Sequence, residues 1–316
     1  MASTTSEGAA APTEQEVLGY FERLSNWGRW GKDDQKGTLN LITPDRRRAA
    51  AALVRDGDIV SCSRTLSPKR DVENPDPLLH FMRQSGESAP ARGMGFASDW
   101  IGLEFHGFST THLDSLSHLF WDGRMYNGRP ASGITTSRGG ADGSIEWARD
   151  GIISRGVLLD MPWSQDRDWL EPGEAILPAD LDACAAQAGV EVGEGDILLI
   201  RTGRDARRAR HGPVAPAQGG AAGLHAACLP WLHEHGIAVL SSDVAQDVMP
   251  SGFDGIPMPI HAVGIVAMGL WLLDNAWLED LAEHCRRRER WAFHMTVAPL
   301  PLKNTTGSPV NPIALF

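Results

Sequence analysis

The stretch Phe108-Ser-Thr-Thr-His-Leu-Asp-Ser-Leu-Ser-His118 holds the densest chemistry in the chain, with His112, Asp114 and His118 inside seven residues. Read as extended backbone, alternation puts His112 and Asp114 on one face, their Cα atoms roughly 6.5–7 Å apart. Two such side chains can converge on one divalent ion. Imidazole nitrogen with carboxylate oxygen suits Zn, Mn or Fe(II) better than Ca or Mg. His118 reaches the same point only if the chain turns or enters a helix after Asp114, which Ser115 and Ser117 permit. Taken singly, each residue is an ordinary surface or satisfied core group. Together, on a segment bordered by Phe108, Leu113, Leu116 and Phe120, their burial costs on the order of several kcal/mol unless something such as a metal pairs them.

Around this stretch, strands and helices interleave. RGVLLDM (155–161), DILLIRTG (196–203), IAVLSSD (237–243) and LWLLD (270–274) read as buried strands from their continuous apolar cores. Helices are expected over EQEVLGYFERL (14–24), from Pro44 to Val54, and over LPADLDACAAQAGV (177–190), which has a proline start and a stop at Gly189. Two more are expected over LPWLHEHG (229–236) and HAVGIVAMG (261–269), and WAFHMTVAPLPL (291–302) gives a late strand. WIGLEFHGFSTTHLD (100–114) looks extended. Residues 71–95 lack periodicity and read as a long flap, and the arginine-rich RDARRARHGPVAPAQGGAAG (204–223) reads as a loop. No fixed repeat and no Gly/Ser linker divides the chain. The expectation is a mobile tail over residues 1–13, then one mixed α/β domain over 14–316, with a mixed sheet and long loops.

A net charge of -11, from 29 Lys+Arg against 40 Asp+Glu, argues against duplex nucleic acid or an anionic membrane as partner and leaves a small-molecule substrate as the default. The longest apolar run, Ala262 to Leu273, has 12 residues, too few to span a bilayer. Cys62, Cys184, Cys228 and Cys285 form no C-x-x-C pair, and the first residues lack a secretory leader. A cytoplasmic protein is expected.

Two residues do not hold a metal tightly, so further ligands must come from elsewhere. His261 and Asp274 are candidates. On one continuous helix their separation of 13 leaves them on different faces. If the helix stops near Gly269 and the chain returns as a strand, both can face one pocket. Asp243 and Asp247, after IAVLSSD, either line a pocket or cap a loop. The arginine runs at 204–210 and 286–288 read as solvated. The chain contains no P-loop, G-x-S-x-G elbow, H-E-x-x-H or complete dinucleotide motif, so nucleotide and serine-hydrolase readings lose support.

FSTTHLDSLSH resembles the signature H-x-G-T-H-x-D-x-x-x-H of the metal-dependent cyclase superfamily, which includes bacterial kynurenine formamidase and isatin hydrolase. Thr111, His112, Asp114 and His118 match it. NWGRWGKDDQKGTLNLIT, RGVLLD, ILLIRTG, IAVLSSD and GLWLLDNAWLEDLA resemble landmarks of the longer, roughly 300-residue branch. The resemblance implies a swivelling β/β/α-type fold with a barrel-like core, a homodimer or homotetramer, and Zn or Mn in the pocket. It further implies His112 and Asp114 as metal ligands, His118 as catalytic acid/base and His261 as the later ligand. Asp274 falls one residue from the expected position of a family Glu. Phe108 stands where the first signature His belongs, and Thr110 where the Gly belongs. His106 shares a face with His112 by alternation, but six extended residues span roughly 20 Å, so it replaces the missing histidine only if a bulge intervenes. One ion per site is therefore expected.

The leading expectation is metal-assisted hydrolysis of an amide, lactam or ester-like bond in a small cyclic or aromatic substrate. Phe108, Trp121 and Trp100 would supply either an apolar wall for it or ordinary packing. Two rivals keep the fold: ring closure or dehydration with His118 as base and little metal, or ligand binding without catalysis.

Overall fold

The continuous apolar runs become the parallel middle of a nine-stranded sheet. In the computed structural model, which describes residues 11–316, Ile152–Asp160, Ile197–Arg201, Val239–Ser242 and Trp271–Asp274 lie side by side in parallel. Almost every residue in them is buried. Strands covered on both faces lose the in–out alternation that would otherwise mark them.

Antiparallel strands flank this block. Ala292–Val297 pairs with Ile152–Asp160, and Ile313–Leu315 and Ile59–Ser61 extend that edge. Beyond Trp271–Asp274 come His112–Asp114 and then Gly307–Pro309, both antiparallel to their neighbours. The result is a mixed α/β fold whose sheet curls into a half-barrel.

Pro178–Ala188 forms its expected helix and stops at left-handed Gly189. His261 lies in the short helix Pro259–His261, which continues as π-helix over Ala262–Met268 and ends at Gly269, also left-handed. The chain then returns as Trp271–Asp274. No helix among the described residues is long and apolar enough to cross a membrane.

Four local readings need correction. EQEVLGYFERL is not one helix: it breaks at Gly19 into Glu14–Leu18 and Tyr20–Arg23, burying Tyr20 and leaving Leu18 exposed. The supposed flap contains Leu79–Gln84, which pairs antiparallel with Ser98–Gly102. Every residue of Leu79–Gln84 is exposed, so no buried face imposes a period. WIGLEFHGFSTTHLD is extended only at its two ends, with bends between Gly102 and His112. The arginine-rich segment forms the helix Arg204–His211. Three of its four arginines are paired rather than solvated: Arg204 and Arg208 with Glu73, Arg208 also with Asp71, and Arg207 with Glu171, while Arg210 is exposed. Residues 1–10 of the expected tail lie outside the described residues, and Thr13 caps the first helix.

Candidate metal centre

Strand pairing builds the centre. His112–Asp114 lies between Trp271–Asp274 and Gly307–Pro309, with Asp274 opposite His112 and Leu272 opposite Asp114. His112, Asp114 and Asp274 are all buried. After Asp114 the chain turns, the His118 amide donating to the Ser115 carbonyl at 3.0 Å. That turn carries the His118 ring to 3.8 Å from Asp114 Oδ2. The stop at Gly269 and the return strand bring His261 Nε2 to 3.3 Å from Asp274 Oδ2 and 3.9 Å from Asp114 Oδ2. All five sequence candidates for catalysis or ligation therefore meet around Asp114.

His106 joins them. Instead of lying roughly 20 Å away as along a straight strand, its ring centroid is 5.2 Å from that of His112. The ring stacks on His118 at 3.9 Å, and Nδ1 stands 3.0 Å from Asp114 Oδ1. The chain doubles back at Gly107, whose φ of +128° lies where side chains are rarely tolerated. The sequence signal was that glycine beside a histidine.

These residues fit a divalent cation. His106, His112 and Asp114 offer one donor atom each within 4.8 Å of one another, as do Asp114, His261 and Asp274. Asp114 belongs to both sets. Both its carboxylate oxygens are buried without a well-formed hydrogen bond, a costly state for a carboxylate unless a cation faces it. His112 Nδ1 lies 2.8 Å from the Thr110 carbonyl. Only N–H can donate there, which leaves Nε2 bare on the Asp114 side. His261 Nδ1 lies 2.6 Å from Asp247 Oδ2, the carboxylate–imidazole arrangement that fixes a ligating ring. Gln246 Nε2 donates to Asp274 Oδ1 at 2.9 Å, leaving Oδ2 for the centre.

The electrostatics agree with this chemistry. Burial alone would raise the Asp114 carboxyl, but the imidazoles of His118, His112 and His106 outweigh it and hold the group below the usual carboxylate range. Burial pushes His118 down to about 4, only partly opposed by Asp114. Burial would also lower His261. The carboxylates of Asp274 and Asp247 overcome that and raise it well above an ordinary histidine. Positive charge is thus favoured among these carboxylates.

Asp243 and Asp247 are capping groups. Asp243 accepts the backbone N–H groups of Thr202, Gly203 and Arg204, and Asp247 accepts those of Ile260 and His261. A cavity of about 510 Å³ opens at His106 and is walled by Val72, Pro75, Phe108, Ala215 and Pro216. A larger one, about 780 Å³, shares Phe108 but contains none of the clustered histidines or carboxylates. Trp121 stacks on Phe21 at 4.8 Å. Trp100 is 46% exposed on the outlying hairpin, beside Phe81. Neither lines the cavity at His106.

Comparison with known proteins gives a consistent picture. The Cyclase family model matches residues 51–246, a span that includes His106 through His118. A crystal structure described as a novel cyclase is 33% identical, covers 94% of this chain and 99% of its own, and superposes with a TM-score of 0.85. An isatin hydrolase bound to the product analogue thioisatinate is 19% identical, covers 85% of this chain and 95% of its own, and has a TM-score of 0.58. Isatin hydrolase A from Labrenzia aggregata, bound to benzyl benzoate, is also 19% identical, with coverages of 84% and 94% and a TM-score of 0.57. At that identity the likeness is one of fold. No curated protein matches the sequence significantly.

Proposed function

Because the chain belongs to the Cyclase family, we propose that it is a metal-dependent hydrolase opening an amide, lactam or ester-like bond in a small cyclic or aromatic substrate. The observation that carries this reading is Asp114, buried with both oxygens unsatisfied among His106, His112, His118 and His261. In this reading His112, Asp114, His261 and Asp274 hold Zn or Mn, with His106 as an added ligand. When bound, such an ion lowers the pKa of water and polarises a carbonyl.

His118 supplies the proton transfers. Its depressed basicity keeps it neutral at physiological pH, so its free nitrogen accepts a proton from water and returns it to the leaving nitrogen or oxygen. His106, stacked on it, limits the ring's rotation. The cavity at His106, with Phe108, Val72, Pro75 and Pro216 among its lining, offers apolar wall to such a substrate. Asp76 and Glu104 also line it, and neither has an ion-pair partner among the described residues. An uncharged substrate suits that wall, and the carboxylate formed by hydrolysis is repelled from it. The ring-closing alternative leaned on the absent histidine at 108, and His106 fills that gap in the cluster.

The test is metal content beside turnover. Purified protein should carry a stoichiometric divalent metal and hydrolyse neutral aryl lactams or esters. His112→Ala and Asp114→Ala should lose both properties. Full metal and full activity in either variant sinks the reading.

A further inference from the structure

His106 and His112 sit at the two ends of a five-residue loop, Gly107–Thr111, that belongs to no strand. Something else must hold that loop, since a displacement of about 1 Å is enough to spoil a ligand set. The residue in contact with most of it is Asn275. It directly follows Asp274, is fully buried and has a φ of +55°.

Both functional ends of the Asn275 side chain are engaged. Nδ2 donates to the Gly107 carbonyl at 2.6 Å and to the Thr110 carbonyl at 3.2 Å. Oδ1 accepts from Arg204 Nη1 at 2.9 Å, and the other arm of Arg204, Nη2, donates to the Phe108 carbonyl at 2.6 Å. The Asn275 carbonyl accepts from Thr111 Oγ1 at 2.7 Å and from Arg64 Nε at 3.0 Å. One residue thus engages positions 107, 110 and 111 directly and position 108 through Arg204. The Thr110 carbonyl that it steadies is the one His112 Nδ1 also contacts.

We propose that Asn275 is the positioning residue of this centre, locking the Gly107–Thr111 loop so that His106 and His112 face Asp114 in register with the adjoining Asp274. A left-handed residue at the end of the Trp271–Asp274 strand turns the amide back across the strand end onto the loop. Asparagine is the side chain that combines tolerance of that backbone with two donors and an acceptor. The proposal rests on the metal reading above.

Cobalt(II) binding, followed by visible absorption and by bound-metal analysis, tests it without reference to turnover. Asn275→Gly keeps the left-handed backbone at no steric cost and removes only the amide. Asn275→Asp is nearly isosteric but sets an acceptor against two carbonyls. Gly107→Ala is the independent variant: a Cβ there meets nothing within 4 Å, so only the turn is challenged. Each should bind cobalt about 10–100-fold more weakly than wild type and shift the visible bands. A merely structural amide would lower the thermal midpoint of the metal-free protein and leave cobalt affinity and bands of the folded variants unchanged. That result overturns the proposal. Wild-type protein that takes up no cobalt, zinc or manganese overturns the metal reading itself, a distinguishable outcome.

Discussion

A buried side chain is chemically defined by what faces it, and His118 and the four cysteines show the two extremes. His118 keeps 27% of its side chain exposed and lies 3.8 Å from Asp114, placed to exchange protons without being spent as a structural partner. His118→Gln should reduce kcat about 10²–10⁴-fold while metal content stays at the wild-type level, because the substitution removes proton transfer and not a ligand. Metal analysis beside steady-state kinetics checks it, and parallel loss of metal would recast His118 as a ligand. Burial raises the thiols of Cys62 and Cys184 to about 12 and lifts Cys228 and Cys285 as well. Thiolate, the reactive form, is therefore scarce at neutral pH and grows only as pH rises towards those values. A thiol-specific disulfide reagent at pH 8 should label none of the four in native protein and all four in denaturant. Rapid labelling of any native cysteine would contradict the burial.

Secondary-structure elements were legible where a single burial pattern governed them and illegible where polar pairing replaced it. The four parallel strands showed themselves because both faces are covered, and the helix–stop–strand unit from His261 to Asp274 showed itself through Gly269. The helix Arg204–His211 did not, since an arginine-rich face looks solvated until Glu73, Asp71 and Glu171 appear from distant segments. Three of the site candidates, the ligands His112 and Asp114 and the acid/base His118, followed from local spacing. His106 stayed conditional on a bulge because alternation assumes a straight strand, and the turn at Gly107 meets that condition. The unit around Gly269 makes its own prediction. A Cβ there would stand 2.5 Å from the Tyr126 ring on a backbone with φ +66°. Gly269→Ala should cost about 2–4 kcal/mol in chemical denaturation, from left-handed strain and overpacking together. It should also weaken metal binding by shifting Asp274 against His261. A cost below about 0.5 kcal/mol, the usual range for surface changes, would mean that the stop is not required.

At the scale of the whole molecule, the hairpin of Leu79–Gln84 and Ser98–Gly102 is out of keeping with the rest. Leu79, Phe81, Met82, Trp100 and Ile101 are all exposed on it, with Met94 and Phe96 on the intervening loop. A two-stranded ribbon is at best marginal in water on its own, and so many large apolar side chains clustered on one projecting element mark an association surface more than a solvated one. The nearby pair His80 and Asp99, 2.6 Å apart, gives the ribbon a polar cross-strand tie but covers none of that apolar area. We propose that this hairpin is a self-association surface, through which the chain would form a homodimer or homotetramer. Phe81 and Ile101 stand out as probes because both are more than half exposed, at 56% and 59%, and neither packs into the core of its own chain. The double variant Phe81→Glu/Ile101→Lys should convert the oligomer to monomer in light scattering at micromolar concentration, with metal content retained. If wild-type protein is already monomeric there, or the double variant, which alters one residue on each face of the ribbon, keeps the wild-type mass, the hairpin is not the contact.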